Sequence, residues 1–348
     1  MLSNPRSICE QGESGEVGMC LEPLVSVVTP FYNTVEYLAE CIESVLNQNY
    51  KNLVYILVDN CSTDGSSEVA ERYASLAPGK IRLIRTKAFL SQVQNYNYAL
   101  SFTVPGSKYI KMVQADDWIF PDCIREMVEV AETHPDVGIV ASYELEGDQV
   151  SLDGLPFPSP EVDGREICRR YFLDGTYLFG TPTSVLMRSD LLKGRTPFYE
   201  ERFAPFEDAH ACFDLLRAWK YGFVHQVLTY SRRDNESILS SARMLGSFAL
   251  LQLSIVLEHG KDYLSEEEFK VCRRRAERGY YVYLCRCALR GRSREFWRSH
   301  REMLASINCH LSWYLLGKWM PRALAEKMLE TLWSWYAPDR AFGPHNRG

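Results

Sequence analysis

The chain has 348 residues, 46% hydrophobic and 24% charged, which suits a globular protein with a sizeable core in one large or two modest domains. A net charge of −6 argues against a general nucleic-acid binder, so no nucleic-acid partner is expected, although a local basic patch is allowed. The eleven cysteines are odd in number and scattered, and Cys285-x-Cys287 lacks the further ligands of a closed metal site; they read as free thiols in a reducing compartment.

Residues 1–22 are rich in Gly, Ser and Glu and lack the basic start and apolar stretch of a signal peptide, which reads as a loose tail. No apolar window approaches about 18 residues, so no spanning helix and a cytoplasmic location are expected. The apolar run over 25–28 ends in the turn Thr29-Pro30-Phe31-Tyr32-Asn33. Leu38, Cys41, Ile42, Val45 and Leu46 then fall at helical spacing within 36–49, and a second apolar run over 53–58 ends on Asp59. Strand, helix and strand make a βαβ unit, and open parallel sheets bind ligands beyond the carboxyl ends of their strands. Thr29, Asn33, Asp59 and Asp64 are therefore expected to share one crevice. Asp64 also stands where it can cap a helix over 66–76.

Further along, the spacing predicts a strand over 81–85, a helix over 90–103 and a strand over 109–114 that ends in Ala115-Asp116-Asp117-Trp118. A helix over 122–134 follows Pro121, then a strand over 137–143. Gly, Pro and Asp break the pattern over 144–163, which reads as a surface excursion on the ligand side. A helix over 164–173, the segment 177–184 and a strand over 185–188 come next. Pro205-Phe206-Glu207-Asp208 precedes an amphipathic helix over 209–221, and a strand over 224–230 closes the alternation. This order predicts an α/β fold with a mainly parallel sheet flanked by helices.

Two adjacent acids at a strand end are costly to hold together unless a positive charge sits between them. A divalent cation carrying a diphosphate meets that need, because Mg²⁺ and Mn²⁺ favour carboxylate and phosphate oxygens. Asp116 and Asp117 are the candidate metal residues. As an alternative they start a loop and cap the next helix. Glu207 and Asp208 likewise complement a helix dipole, or place a carboxylate where it can take a proton, with His210 as a minor rival.

The PxYN turn, the VD-x-x-STD strand end, Gln94-Asn95-Tyr96-Asn97, the Asp pair and Phe206-Glu207-Asp208 occur in an order that resembles family 2 glycosyltransferases of GT-A (Rossmann-like) fold. The resemblance runs from about residue 24 to 240. It implies an inverting transfer from a nucleotide-diphosphate sugar to an acceptor hydroxyl, aided by Mn²⁺ or Mg²⁺. Thr29, Pro30, Tyr32, Asn33, Asp59, Asn60, Asn95, Gln114, Asp116 and Arg233 are then donor-binding, with Arg232 as an alternative to Arg233. Asp208 is the implied base and Glu207 its companion. Two departures stand out: Gln114 replaces the first acid of the commoner D-A-D-D form, and Asn60 replaces an acid after Asp59. A nucleotidyltransferase and a catalytically weak nucleotide-sugar-binding scaffold are the other readings.

Beyond about residue 240 strand signals vanish. The expected division is a tail over 1–22, a catalytic domain over 23–240, a helical region over 241–336 and a tail over 337–348. Ten arginines lie between 273 and 301, followed by Trp313, Tyr314, Trp319, Trp333, Trp335 and Tyr336. A basic stretch beside amphipathic aromatic helices suits an anionic membrane surface, which would place the protein at the inner face of the cell membrane with a lipid-linked acceptor in surface polysaccharide or glycolipid assembly. The alternative is packing on the catalytic domain or on a second subunit in a homodimer.

Overall fold

The computed structural model describes residues 22–233 and 247–336, and side chains only as far as 329. The two expected tails, apart from Glu22, and the side chains of Trp333, Trp335 and Tyr336 lie outside the described residues. Four strands, β1 (Val25–Phe31), β2 (Leu53–Asp59), β3 (Ile81–Arg85) and β4 (Tyr109–Met112), pair in parallel in the order β3-β2-β1-β4. Helices α1 (Val35–Leu46), α2 (Ser66–Leu76) and α3 (Gln92–Leu100) connect them. The register sets Phe31 opposite Asp59 and Asp59 opposite Arg85, so the strand ends make one level edge.

The chain continues through β5 (Trp118–Ile119), α4 (Cys123–Thr133), β6 (Val137–Glu146), β7 (Gln149–Ser151), β8 (Glu161–Val162), α5 (Gly164–Asp174), β9 (Val185–Arg188), α6 (Glu207–Leu215) and β10 (Lys220–Ser231). The full order is β3-β2-β1-β4-β9-β6-β10-β5. β9 runs antiparallel to both β4 and β6, while β6 and β10 are parallel. The sheet is thus parallel in its first half and mixed beyond.

Side chains alternate across β1, and that alternation divides two cores. Val25, Val27 and Phe31 pack with α1, α2 and α4; Val28 packs on the opposite face with α3, α5 and α6. The second core runs on without a break into α7 (Ser247–Tyr263), α8 (Glu266–Leu289), α9 (Arg294–Ser306) and α10 (Trp313–Tyr336). Cys272 Sγ and the guanidinium of Arg275 both reach the Phe172 carbonyl at the end of α5, and Tyr263 donates to the Phe213 carbonyl of α6. Among the described residues no helix is long and apolar enough to cross a membrane. The nine described cysteines are free, and seven of them are buried.

Two stretches differ from their expected form. The helix expected over 209–221 ends at Leu215, and Lys220 already belongs to β10. Tyr221 and Phe223 are taken into the sheet and buried there, so tertiary packing overrides the helical pattern. The excursion over 144–163 contains β7, which turns back on β6, and β8, which pairs with β10.

Asp64 serves the start of two helices, the expected one and α1. Gly65, at φ 99°, is the residue directly preceding α2. Asp64 Oδ1 accepts from the first amide of α2, Ser66 N, at 3.0 Å and from Ser66 Oγ at 2.6 Å, while Oδ2 accepts from the Val35 amide of α1 at 3.0 Å. Burial works to raise the Asp64 pKa, but these hydrogen bonds outweigh it and hold the carboxyl below its usual value. Asp64→Ala should cost about 1 kcal/mol of stability, read from urea unfolding at neutral pH. Because the folded pKa is depressed, the wild-type advantage is present at neutral pH and disappears as pH falls through that folded value.

Candidate active site

Asp59 is 2% exposed at the end of β2. Its Oδ1 accepts from Ser62 N at 2.9 Å and its Oδ2 from Ser67 Oγ at 2.5 Å, with Arg85 Nε 3.7 Å away. Asn33, at φ 49°, accepts from Thr63 N at 2.8 Å and ties the β1–α1 loop to the β2–α2 loop. The Asn60 amide is paired with the Leu90 backbone in both directions, each at 2.9 Å, so it fixes the loop before α3. Tyr32 is exposed, and Phe89 in that pinned loop meets its ring at 4.8 Å between centroids. Phe89 carried no sequence signal, because the contact depends on the Asn60 tie.

Thr29 does not line this crevice. Its hydroxyl is buried and hydrogen-bonds Tyr55 Oη at 3.0 Å, within the core under α1. Strand alternation is the reason: Thr29 shares a face with Val25 and Val27. Pro30, the next residue, is buried.

At the centre lie Asp116 and Asp117. Asp117 is 4% exposed, and its carboxylate accepts from Thr183 Oγ1 at 2.6 Å, Ser231 Oγ at 3.3 Å and Arg232 N at 3.1 Å. Burial, and then the charge of Asp116, push its pKa well above the normal value. Asp116 is partly exposed. The Arg232 guanidinium donates to the Asp116 carbonyl at 3.1 Å, pairs with Glu40 and lies 4.5 Å from the Tyr37 ring centroid. Arg233 is instead ion-paired with Glu146.

Glu144 was not among the expected site residues. It lies two residues from the end of β6, 2% exposed, and accepts from Ser184 Oγ at 2.7 Å and from Ser231 Oγ. Burial raises its pKa, and those hydroxyl bonds oppose the rise. Ser231 therefore bridges Asp117 and Glu144. Thr183 and Ser184, from the short turn before β9, complete the network. Fully buried Lys111 donates to the Thr183 carbonyl behind this turn, and burial lowers its pKa. A strand ending on an acid was the available signal for Glu144, as for Asp59.

Gln114, where the usual first acid would stand, donates to Tyr96 Oη at 2.8 Å. The charges of Glu207 and Asp116 both act on that hydroxyl, so Tyr96 is within electrostatic reach of both acid pairs. Asn95 is 5% exposed, and its Oδ1 has no hydrogen-bond partner among the described residues. Asn97 is fully used, paired with the Tyr199 backbone at 2.8 Å in both directions.

Glu207 and Asp208 start α6, as expected. Glu207 is 4% exposed with Oε2 unpartnered among the described residues, and burial followed by the Asp208 charge raises its pKa to about 8. Asp208 is partly exposed and lines a cavity of about 10 Å³ with Gly180, Thr181, Pro182 and Tyr199. Burial raises its pKa to about 6, against the Ala209 amide that donates to it at 2.8 Å. His210 points elsewhere. It stacks on Phe203 at 3.7 Å, bonds His259 at 2.9 Å and Ser254 at 3.1 Å, and burial lowers its pKa to about 2.

The donor set suits a hard divalent cation. Two neighbouring carboxylates, one pushed far up by burial, are relieved by positive charge. No group of three or more His, Cys, Asp or Glu that could hold a metal ion is gathered among the described residues. Mg²⁺ and Mn²⁺ characteristically take only one or two carboxylates and complete their shell with phosphate and water.

The model of glycosyl transferase family 2 matches residues 26–194. The chain is 30% identical over 227 residues to glycosyltransferase GlyG of Streptococcus pneumoniae serotype 4, covering 63% of this chain and 74% of GlyG. It is 34% identical over 152 residues to putative glycosyltransferase EpsE of Bacillus subtilis, covering 42% of this chain and only 54% of EpsE. Among solved structures, S. aureus TarS 1–349 superposes with TM-score 0.57 at 17% identity, covering 82% of this chain and 81% of that one. A mannosyltransferase from Pyrobaculum calidifontis, solved with GDP-Man and Mn²⁺, superposes with TM-score 0.50 at 14% identity over 90% and 88%. The fold is GT-A, and the chain belongs to glycosyltransferase family 2.

The hydroxyl network predicts the behaviour of Glu144. Glu144→Gln keeps an acceptor oxygen and should change stability by less than about 1 kcal/mol. Glu144→Ala removes the shared carboxylate acceptor of the buried Ser184 and Ser231 hydroxyls and leaves a cavity, and should cost about 3 kcal/mol, measured by chemical denaturation.

Proposed function

We propose that this protein is an inverting glycosyltransferase that moves a sugar from a nucleoside-diphosphate donor to an acceptor hydroxyl. The observation that carries the reading is that two acid pairs, Asp116 with Asp117 and Glu207 with Asp208, both act on one hydroxyl, that of Tyr96, through the charges of Asp116 and Glu207. Asp59 and the Tyr32–Phe89 pair receive the nucleoside, and the buried, unpartnered Asn95 Oδ1 accepts from a donor hydroxyl. Asp116 holds the cation, because the Asp117 oxygens already serve Thr183, Ser231 and the Arg232 amide. When bound, Mn²⁺ or Mg²⁺ would neutralise charge on the diphosphate. Both arginines are ion-paired, Arg232 with Glu40 and Arg233 with Glu146, and Arg232 is the better placed phosphate partner because its guanidinium also bonds the Asp116 carbonyl.

Asp208 takes the proton of the acceptor hydroxyl as its oxygen attacks the anomeric carbon. The carbon–oxygen bond to the diphosphate breaks on the opposite face, and the nucleoside diphosphate leaves with the electron pair. Glu207, its pKa raised to about 8, holds a proton at neutral pH and so leaves the negative charge of the pair on Asp208.

A panel of UDP-, GDP- and dTDP-sugars, assayed with Mn²⁺, Mg²⁺ or EDTA, tests this. Nucleoside diphosphate should appear from one donor only with metal, and Asp116→Ala should abolish it. Release of a nucleoside monophosphate would mean a nucleotidyltransferase. Nucleotide binding without turnover would favour the scaffold, and absence of any nucleotide binding would sink the transferase reading. Asp208→Asn should lower kcat by about 10²–10⁴-fold while donor binding persists. Because Asp208 works ionised and its pKa is raised to about 6, wild-type activity should rise with pH through about 6 and lose that limb in the variant.

A further inference from the structure

The C-terminal helices carry a surface that the transfer chemistry does not use. Along α10, residues 313, 317, 321, 324 and 328 follow one another at helical spacing. Trp313, Leu324 and Met328 on that stripe, with Tyr314 and Leu329 beside it, are 43% to 76% exposed. A flank of the helix beside the stripe is committed to the core through Leu316 and Ala323. Large apolar side chains gathered on one exposed helix face mark a contact surface.

The segment that carries this stripe is one-sided in charge. Residues 270–329 hold 14 Lys and Arg against four Asp and Glu, a net +10 within a chain of −6, so all other residues sum to −16. The basic turn after α8 is brought to α10 by two contacts: Lys327 Nζ donates to the Leu289 carbonyl at 3.3 Å, and Arg286 pairs with Glu326 at 2.6 Å. Arg290, Arg292 and Arg294 are exposed in and just after this turn, which those contacts tie to the C-terminal half of α10. Arg322 shares Glu326 with Arg286, and Lys318 lies over the Trp319 ring.

We infer that this face of α10, with the Arg290–Arg292–Arg294 turn, seats the protein on an anionic lipid surface. Tryptophan, tyrosine, leucine and methionine enter the headgroup boundary while the arginines meet lipid phosphates, and the helix lies in the plane of the interface. Charge decides between a membrane and a second copy of the chain. A twofold dimer would press this basic surface against itself, whereas an anionic leaflet neutralises it. The acidic remainder of the protein is repelled by the same leaflet, so the orientation is defined. This inference does not rest on the proposed transferase mechanism.

Vesicle flotation of the full chain tests it, using phosphatidylcholine alone and phosphatidylcholine with about one third phosphatidylglycerol. The protein should float with the anionic vesicles and remain in solution with the neutral ones, and high salt should release it. Trp313→Ser/Met328→Ser and Arg290→Glu/Arg292→Glu/Arg294→Glu should each lower binding at least about tenfold, with melting temperature and donor hydrolysis unchanged. No partition onto anionic vesicles would overturn the inference, as would binding that neither variant weakens. A dimer in sedimentation that Trp313→Ser/Met328→Ser dissociates would assign the face to a second copy and also overturn it.

Discussion

Asp117 and Glu144 sit at strand ends with almost no exposure, and holding two carboxylates there is the constraint around which the site is arranged. Burial raises the pKa of both. Such groups are tolerable only when hydrogen-bonded. Thr183, Ser184 and Ser231 supply the donors, and Ser231 serves both acids. Those hydroxyls come from the turn before β9 and the end of β10, so satisfying the acids also fixes where these segments run. Lys111 secures the same turn from behind through the Thr183 carbonyl.

The loops at the donor edge follow a similar logic. Asn33, Asn60, Asp64 and Asn97 each bind backbone atoms of another segment. Short amide and carboxylate side chains satisfy loop N–H and C=O groups that no strand or helix reaches. The tied loop holds Phe89 against Tyr32, and Asn95 Oδ1 and Glu207 Oε2 are among the buried side-chain polar atoms without partners among the described residues. Pre-arranged polar groups of this kind favour a ligand over water, because their desolvation has already been met in folding.

The C-terminal helices are part of the same body. His210, in α6, accepts from His259, and His259 accepts from Arg217, which leaves the other His210 nitrogen to donate to Ser254. This chain of neutral histidines joins the helix that bears Asp208 to α7. The second core then runs through α8 to α10, and it is the outer side of α10 that remains uncovered.

Much of the molecule was legible in the sequence. Apolar periodicity marked the βαβ start, and acids at strand and helix starts pointed to Asp59, Asp116, Asp117, Glu207 and Asp208, because local pattern and end chemistry are written in neighbouring residues. Other features depended on contacts between distant residues. Strand alternation turned Thr29 into the core. Sheet pairing drew residues 220 and 221 out of the expected helix. Asp64 caps α1 from across a loop, Arg233 is taken by Glu146, and Glu144 joins Asp117 only through Ser231. The sequence determined which residues are candidates for the chemistry; only the tertiary structure decided which of them are buried, paired or left without a partner, because burial and hydrogen-bond partners are set by segments far apart in the chain.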